Sequence, residues 1–579
     1  MSCKFIGQLS RLRKLSAESV ENTNTFDLFK EYLHVERQVE IELRDLLRNI
    51  NANQEKCLVL LCGSAGDGKS HLISYLKNSD DEGLLNNFEP YNDATESSEP
   101  TLTSIDTLAE KLSSFNDDNL DSNDGKKMII AINLGTLNNF IDSEKGKNFR
   151  KLKHYVLNNG IFSGYGQSGG YQVGSVFQHV SFSDYQVFSL GSNGIETTFL
   201  DLLFKKVFQK ESNNPFYTSY EECGKCPMSA RCPVRHNYEF LSEISNQKTI
   251  IERIVEIVIK DKAIVSTREV LNLIYDLMVH PDFDEKKIGV GTSDVKYLTN
   301  YLNWSTPMLL SEYKDISLIL NAIGRHDILK TRSNESDVEA TRFHSLENIK
   351  EVFEKATDNT PYHVLNNLTD ISVLGGIKPD LKKIIYRFIA RINDFGANRK
   401  DTTSQIRLRE FIQYLYFQNS GNEKKLGELY KSTRRAILGW NGQFEDDYIC
   451  IDDTNDQLWL LEQLQIKSVI NKNAQKNNGT IQRFSPSLIL RFQKANSSTN
   501  ETAELNMDFS LYELVSDMKD GYRPTVQDKN RHADFVSFVQ QLIEFGNKSE
   551  KIMLVPKESD KTYKMVFEET EFGYEFKVV

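Results

Sequence analysis

The chain holds no apolar stretch approaching the roughly 18 residues that a membrane-crossing helix needs. Its first residues, Met1 to Leu9, lack the uninterrupted apolar core of an export signal. These two absences lead us to expect a cytoplasmic protein with no membrane association. Cysteine is scarce, at seven in 579 residues, and an odd number with three thiols crowded between positions 223 and 232 is not a disulfide framework. Positive charge is short as well: 70 Lys and Arg against 82 Asp and Glu leave a formal net charge of −12, which as an average argues against a nucleic-acid surface. Residues 448–579 contain no catalytic triad, phosphate loop or repeat period, and nowhere do spaced Asp, Glu and Lys resemble a nuclease site. What remains is an ordinary globular composition, 39% apolar and 26% charged, in a chain too long for one core.

The chain is organised around Gly63-Ser64-Ala65-Gly66-Asp67-Gly68-Lys69-Ser70, which fits G-x-x-x-x-G-K-[ST]. The apolar run Cys57 to Cys62 before it reads as a buried strand, and His71 to Lys77 reads as the helix that follows. The chemistry explains the residue types. Glycines let the backbone curl so that its N–H groups converge on phosphate oxygens, and the starting helix adds its positive end. Lys69 would bridge the β- and γ-phosphates of ATP, Ser70 would offer its hydroxyl to Mg²⁺, and Gly63 to His71 are the candidate nucleotide contacts. The bland alternative is a glycine-rich strand-to-helix turn.

Upstream, Val35, Val39, Leu43, Leu46, Leu47 and Ile50 recur at helical spacing. Downstream, Asn78 to Thr101 is acidic and turn-rich, Thr103 or Ser104 caps a short helix, and Met128 to Asn133 reads as the second strong strand. A P-loop ATPase commonly ends a strand near here in a carboxylate that serves Mg²⁺ and the attacking water, and this strand ends in Asn133. Asn133 is then a γ-phosphate sensor, an amide in the acidic position, or only a turn residue. Asp93 and Glu96 are the nearest candidates for the missing carboxylate, with solvated loop charges as the alternative. After a glycine-rich loop at 160–175, Val176 to Leu190 reads as another strand of a sheet of five or so parallel strands with helices on both faces.

Cys223, Cys226, Cys232 and His236 have the spacing of a compact structural Zn²⁺ knuckle. His236 is the least secure ligand, since Asn237 or a water can take its place, and free core thiols are the alternative for the set. Ser266 and Glu269 form a capping box, which puts Arg268 in the first turn of a helix against the dipole. That placement fits a lid arginine reaching bound phosphates, or an exposed surface arginine. Between Leu381 and Trp440 thirteen Lys and Arg face five Asp and Glu. Lys383, Arg387 and Arg391 share a helical face there, and Lys431, Arg434 and Arg435 follow. The segment reads as a DNA phosphate-tracking patch or as a docking surface for an acidic partner. Two alternating stretches, with Tyr563, Met565 and Phe567 and with Tyr574, Phe576 and Val578, read as closing strands.

Taken together, Leu61 to Ser70, Asn92 to Glu96, Ile130 to Phe140, the cysteine knuckle and Ser266 to Glu269 resemble the F component (DptF type) of bacterial phosphorothioation-dependent DNA restriction systems. The match covers roughly the first 280 residues. The resemblance implies an ATP-binding and ATP-hydrolysing subunit that works with G and H components against DNA lacking a sulfur-for-oxygen backbone mark, as part of anti-phage defence. In that setting Asn133 senses the γ-phosphate, the basic segment meets DNA or a partner, and cleavage belongs to a partner. The alternatives are a non-hydrolysing adaptor, stabilised by nucleotide and zinc, or a signalling ATPase that forms a homo-oligomer on a trigger. The expected fold is α/β: an ASCE/AAA-like P-loop NTPase core with a parallel sheet at 56–240, its zinc knuckle at 221–240, behind an N-terminal helical segment at 1–55. A helical lid at 241–345, a basic helical region at 346–445 and an α+β domain at 446–579 follow.

Overall fold

The computed structural model describes the chain apart from residues 1–2, 14–27, 54, 80, 93–102, 123, 164–169, 313–316, 331–333, 346–347, 371–378, 397–398, 400, 443–446, 453–456, 471–478, 496–500, 546–551, 558–564, 571–572 and 579. Asp93, Glu96 and three of the six glycines at 160–175 (Gly164, Gly166 and Gly169) therefore lie outside the described residues.

Helices α1 (Lys4–Leu9), α2 (Leu28–Leu33) and α3 (Gln38–Asn53) lead into strand β1 (Cys57–Gly63). Helix α4 (Lys69–Ser79), β2 (Glu89–Tyr91), α5 (Ser104–Lys111), β3 (Lys127–Asn133), α6 (Leu134–Asp142), α7 (Arg150–Asn158) and β4 (Phe177–Ser181) follow. The four strands form one all-parallel sheet in the order β2-β3-β1-β4. β1 is buried at every position, as a parallel strand covered on both faces must be. Its side chains alternate: Leu58, Leu60 and Cys62 pack with Met128, Ile130 and Ile132 against α5, α6 and α7. Val59 and Leu61 pack with Ile129 and Ala131 against α3 and α4 on the other side. This is the mixed α/β architecture with helices on both faces. The sheet has four strands among the described residues rather than about five, because Ser189–Gly191 (β5) pairs with Gly194–Glu196 (β6) instead of joining it.

A helical array continues the same compact unit: α8 (Thr198–Phe208), α9 (Pro215–Cys223), α10 (Pro233–Leu241), α11 (Ile244–Lys260), α12 (Thr267–Asp276), α13 (Asp294–Asn303), α14 (Thr306–Glu312), α15 (Leu318–Arg325), α16 (Asn334–Ser345), α17 (Ile349–Thr357) and α18 (Pro379–Ile392). Helix α11 is buried along most of its length, so its charges need partners. Arg253 binds Glu256 at 2.6 Å and pairs with Asp394, and Lys260 binds Glu256 at 2.7 Å. Asn237 is a second organising group. Its amide donates to Met278 O and Trp304 O, and its oxygen accepts from Thr306 N–H and Tyr362 O–H. With all four bonds made, Asn237 has nothing left for a metal.

Packing divides the chain into two compact units, residues 1–189, 197–400 and 482–484 in one and 190–196, 401–481 and 485–579 in the other. Segments 1–55, 56–240 apart from 190–196, and 241–345 thus share one unit, and the main division falls at 400/401, inside the expected basic region. The second unit holds α19 (Thr403–Asn419), α20 (Gly427–Gly439), α21 (Phe509–Lys519), α22 (Val526–Arg531), α23 (Ala533–Glu544) and two antiparallel sheets. One sheet joins 573–578, 565–570, 552–556, 458–463 and 448–452, and the other joins 502–507, 488–494 and 466–468. Of the two closing stretches expected as strands, the first is a strand at Met565–Thr570, with Tyr563 outside the described residues, and the second is a strand at Gly573–Val578.

Candidate functional site

In an open parallel sheet, ligands sit outside the carboxyl ends of the strands, where the chain leaves neighbouring strands in opposite directions. Here the chain leaves β1 toward β2 and leaves β3 toward β4, and Gly63 and Asn133 are register partners at that edge. The glycine-rich loop fills the gap between β1 and α4. Gly66 and Gly68 have φ of +87° and +101°, a left-handed backbone that side-chain-bearing residues avoid. Gly66 is crowded as well: a Cβ there would stand 3.1 Å from both Arg268 Cβ and Ser266 Oγ.

Lys69, the first residue of α4, is buried, and its ammonium turns back across the loop. It donates to Gly63 O at 3.1 Å, Ser64 O at 2.6 Å and Asn133 Oδ1 at 2.9 Å, all neutral oxygens. Ser70 Oγ donates to Asn92 O at 3.1 Å, just past the end of β2. The Asn92 side-chain oxygen is buried without a hydrogen-bond partner among the described residues. Asp67 accepts the Ser64 N–H at 2.5 Å, and burial pushes its carboxyl pKa up while Lys69 and Arg37 oppose the shift.

Two groups that the sequence pattern did not single out complete the surroundings. Arg37, between α2 and α3, donates to Asp67 O at 3.3 Å and Thr267 Oγ1 at 3.4 Å, with its guanidinium over the rings of Phe182 and Phe199. His34 stacks on Tyr75 with ring centroids 3.5 Å apart, meets His71 at 3.1 Å, and lies 3.0 Å from Glu40 without hydrogen-bond alignment. Burial lowers the His71 pKa to about 4, so that ring is neutral at physiological pH. No local signal marks Arg37 or His34, because both are placed by tertiary packing from outside the motif.

The capping box is present: Ser266 N–H donates to Glu269 at 2.8 Å and Glu269 N–H to Ser266 Oγ at 3.3 Å. Arg268 N–H donates to Gly66 O at 3.3 Å, so the start of α12 rests directly on the loop. Lys69, Ser70, Asn133 and Arg268 are therefore gathered at one edge of the sheet, with Gly63 to His71 as its rim.

The remaining expected site residues are placed otherwise. His236 is buried, with Nδ1 bonded to Tyr301 O–H and its backbone N–H donating to Cys232 O at 3.2 Å. Among the described residues no three Cys, His, Asp or Glu side chains come close enough to hold a metal, so the expected set of Cys223, Cys226, Cys232 and His236 is not assembled. Arg391 is buried too. It donates to Asp327 at 2.7 Å and Glu312 at 2.7 Å, so its charge is spent inside the helical array and not on a DNA-facing surface. Arg387 shares Glu312 at 3.2 Å, and Lys383 is exposed. In the second unit Arg434 pairs with Asp447 and Lys431 with Glu428, while Arg435 is exposed.

Neither a protein-family model nor a curated protein matches the chain.

Proposed function

We propose that this chain is a P-loop nucleoside triphosphatase that binds ATP with Mg²⁺ between β1 and β3 and hydrolyses it. The observation that carries the reading is the Lys69 ammonium held between the loop carbonyls and Asn133 Oδ1 at the carboxyl ends of two parallel neighbours. The β- and γ-phosphates replace those neutral oxygens with charged ones, a stronger set of hydrogen bonds for an ammonium. The Asn133 amide is then free to report the γ-phosphate. Ser70 Oγ and the unpartnered Asn92 oxygen supply the hard oxygen chemistry that Mg²⁺ takes, and the ion neutralises phosphate charge when bound. Strand order supports the sensor role for Asn133. β3 lies between the loop-bearing strand and β2, so the carboxylate for the attacking water is expected from the segment that follows β2.

The resemblance supplies the setting: an ATP-driven subunit acting with G and H components on DNA that lacks phosphorothioate. Of the named patch residues, Lys383 and Arg435 are exposed cations that phosphates could reach. The test is ATP turnover by the wild type and Lys69→Ala, each without DNA, with unmodified duplex and with phosphorothioated duplex. Turnover that is lost in Lys69→Ala and differs between the two duplexes supports the reading. ATP binding with no turnover in any condition overturns the hydrolase and leaves the adaptor.

A further inference from the structure

The three clustered cysteines have a fourth companion that their spacing could not reveal. Cys3 stands immediately before α1, and α1 packs onto α9 and α10: Phe5 meets Tyr220 and Tyr238 edge-on at 6.0 and 5.3 Å, and Lys4 lies 3.8 Å from Glu222. This packing brings the Cys3 side chain into hydrogen-bond contact with that of Cys223, the last residue of α9. Cys232 opens α10 within electrostatic reach of Cys3, Cys223 and Cys226. Cys226 N–H donates to Cys223 O at 2.9 Å, the tight turn that a C-x2-C half-site uses.

The Cys223 thiol pKa is held up by its hydrogen bond to Cys3 and by burial, and burial lifts the Cys232 thiol to about 11, while backbone N–H groups and Arg235 oppose those shifts. The Cys3 sulfur looks at the N–H groups of Phe5 and Ile6, and the Cys232 sulfur at those of Val234 and Arg235, without closing a formal cap bond at either helix start. The N-terminus of α10 thus points its positive end toward Cys232. The Arg235 guanidinium lies beside Gly224 and favours the charged form of Cys223.

We propose that Cys3, Cys223, Cys226 and Cys232 bind one Zn²⁺ as a tetrathiolate, which pins α1 to the turn between α9 and α10. Among the described residues no three Cys, His, Asp or Glu side chains are drawn close enough to hold an ion, so binding must gather the thiols, with exposed Cys226 turning inward. Four protons leave to solvent and no electrons move. The proposal does not depend on the ATPase reading.

The test uses the full chain purified under reducing conditions. Zinc content is measured for the wild type, Cys3→Ser, Cys232→Ser and His236→Gln, and the metal is exchanged for Co²⁺ to read the thiolate-to-metal charge-transfer band. The expected result is about one zinc per chain in the wild type and His236→Gln, and loss of most of it in both serine variants. Alkylation with mass spectrometry, before and after chelation, keeps the result independent of variant folding: all four cysteines are protected until the metal is removed. Full zinc in Cys3→Ser, no zinc in the wild type, or a Cys3–Cys223 disulfide in place of metal would each overturn the proposal.

Discussion

The Lys69 ammonium and the Asn133 side-chain oxygen meet at 2.9 Å across the edge shared by two parallel strands. One residue carries the charge that binds phosphate and the other an amide that both donates and accepts, so the pair separates binding from turnover. Lys69→Ala should abolish ATP binding. Asn133→Ala should keep binding, measured by equilibrium titration, and lower kcat by about 10²- to 10³-fold, the usual loss for one positioned polar contact. Asn133→Ala with unchanged kcat would remove the sensor role.

Because Ser70 Oγ donates to Asn92 O, the next residue in sequence, Asp93, is one peptide from that contact. We expect Asp93→Asn to stop hydrolysis while leaving binding of ATP measurable, and Glu96→Gln to have the smaller effect. Single-turnover assays at saturating ATP separate the two. Equal, small losses would place the catalytic carboxylate elsewhere.

Gly66→Ala should cost about 1 to 3 kcal/mol for the left-handed backbone alone, with further loss from the crowding against Arg268 and Ser266. Denaturant unfolding measures the first. ATP affinity should fall as well, since the loop cannot keep its curl. Gly68→Ala, which shares the strained φ but has open space around its Cβ, isolates the backbone contribution.

Arg391→Ala should destabilise the first unit by about 3 to 5 kcal/mol, because it leaves the buried Asp327 without the cation that pairs with it and Glu312 with Arg387 alone. It should not change the salt dependence of DNA binding per folded molecule. Lys383→Ala and Arg435→Ala should do the reverse: unchanged thermal unfolding and a salt slope reduced by about 1 each. Unchanged slopes in both would transfer the DNA contact to a partner.

Asp184, buried after β4, has its carboxyl pKa raised to about 6, against 3.8 for an ordinary Asp, by burial and the nearby Glu42 charge, with Arg483 opposing. A raised folded pKa means that the folded state holds the proton more tightly. The stability tied to that proton is fully present below about pH 4 and is lost as pH rises through about 6. Asp184→Asn should therefore be more stable than the wild type at pH 7, with the advantage vanishing toward pH 4. A constant difference across that range would mean that Asp184 does not titrate in the window.

How much of this was legible in the chain depended on range. The strand, loop and helix around Lys69 and the Ser266 to Glu269 box follow from patterns a few residues wide, and the structure contains those elements. The insertion of β3 between β1 and β2, which bears on the role of Asn133, is invisible in sequence order. Arg391 was expected on a surface with Lys383 and Arg387 because helical spacing shows neighbours on one helix, whereas its burial comes from Glu312 and Asp327 on other elements. Cys3 failed to register for the same reason: spacing rules connect cysteines within a short stretch, and packing of α1 supplied one from 220 residues away in the chain.

The bond from Arg268 N–H to Gly66 O makes the loop and the start of α12 one mechanical element. Reciprocity then follows from thermodynamics: if nucleotide shifts the position of residues 267–276, anything that grips those residues shifts nucleotide affinity by the same factor. A binding partner would not need to touch ATP to control when this chain holds it.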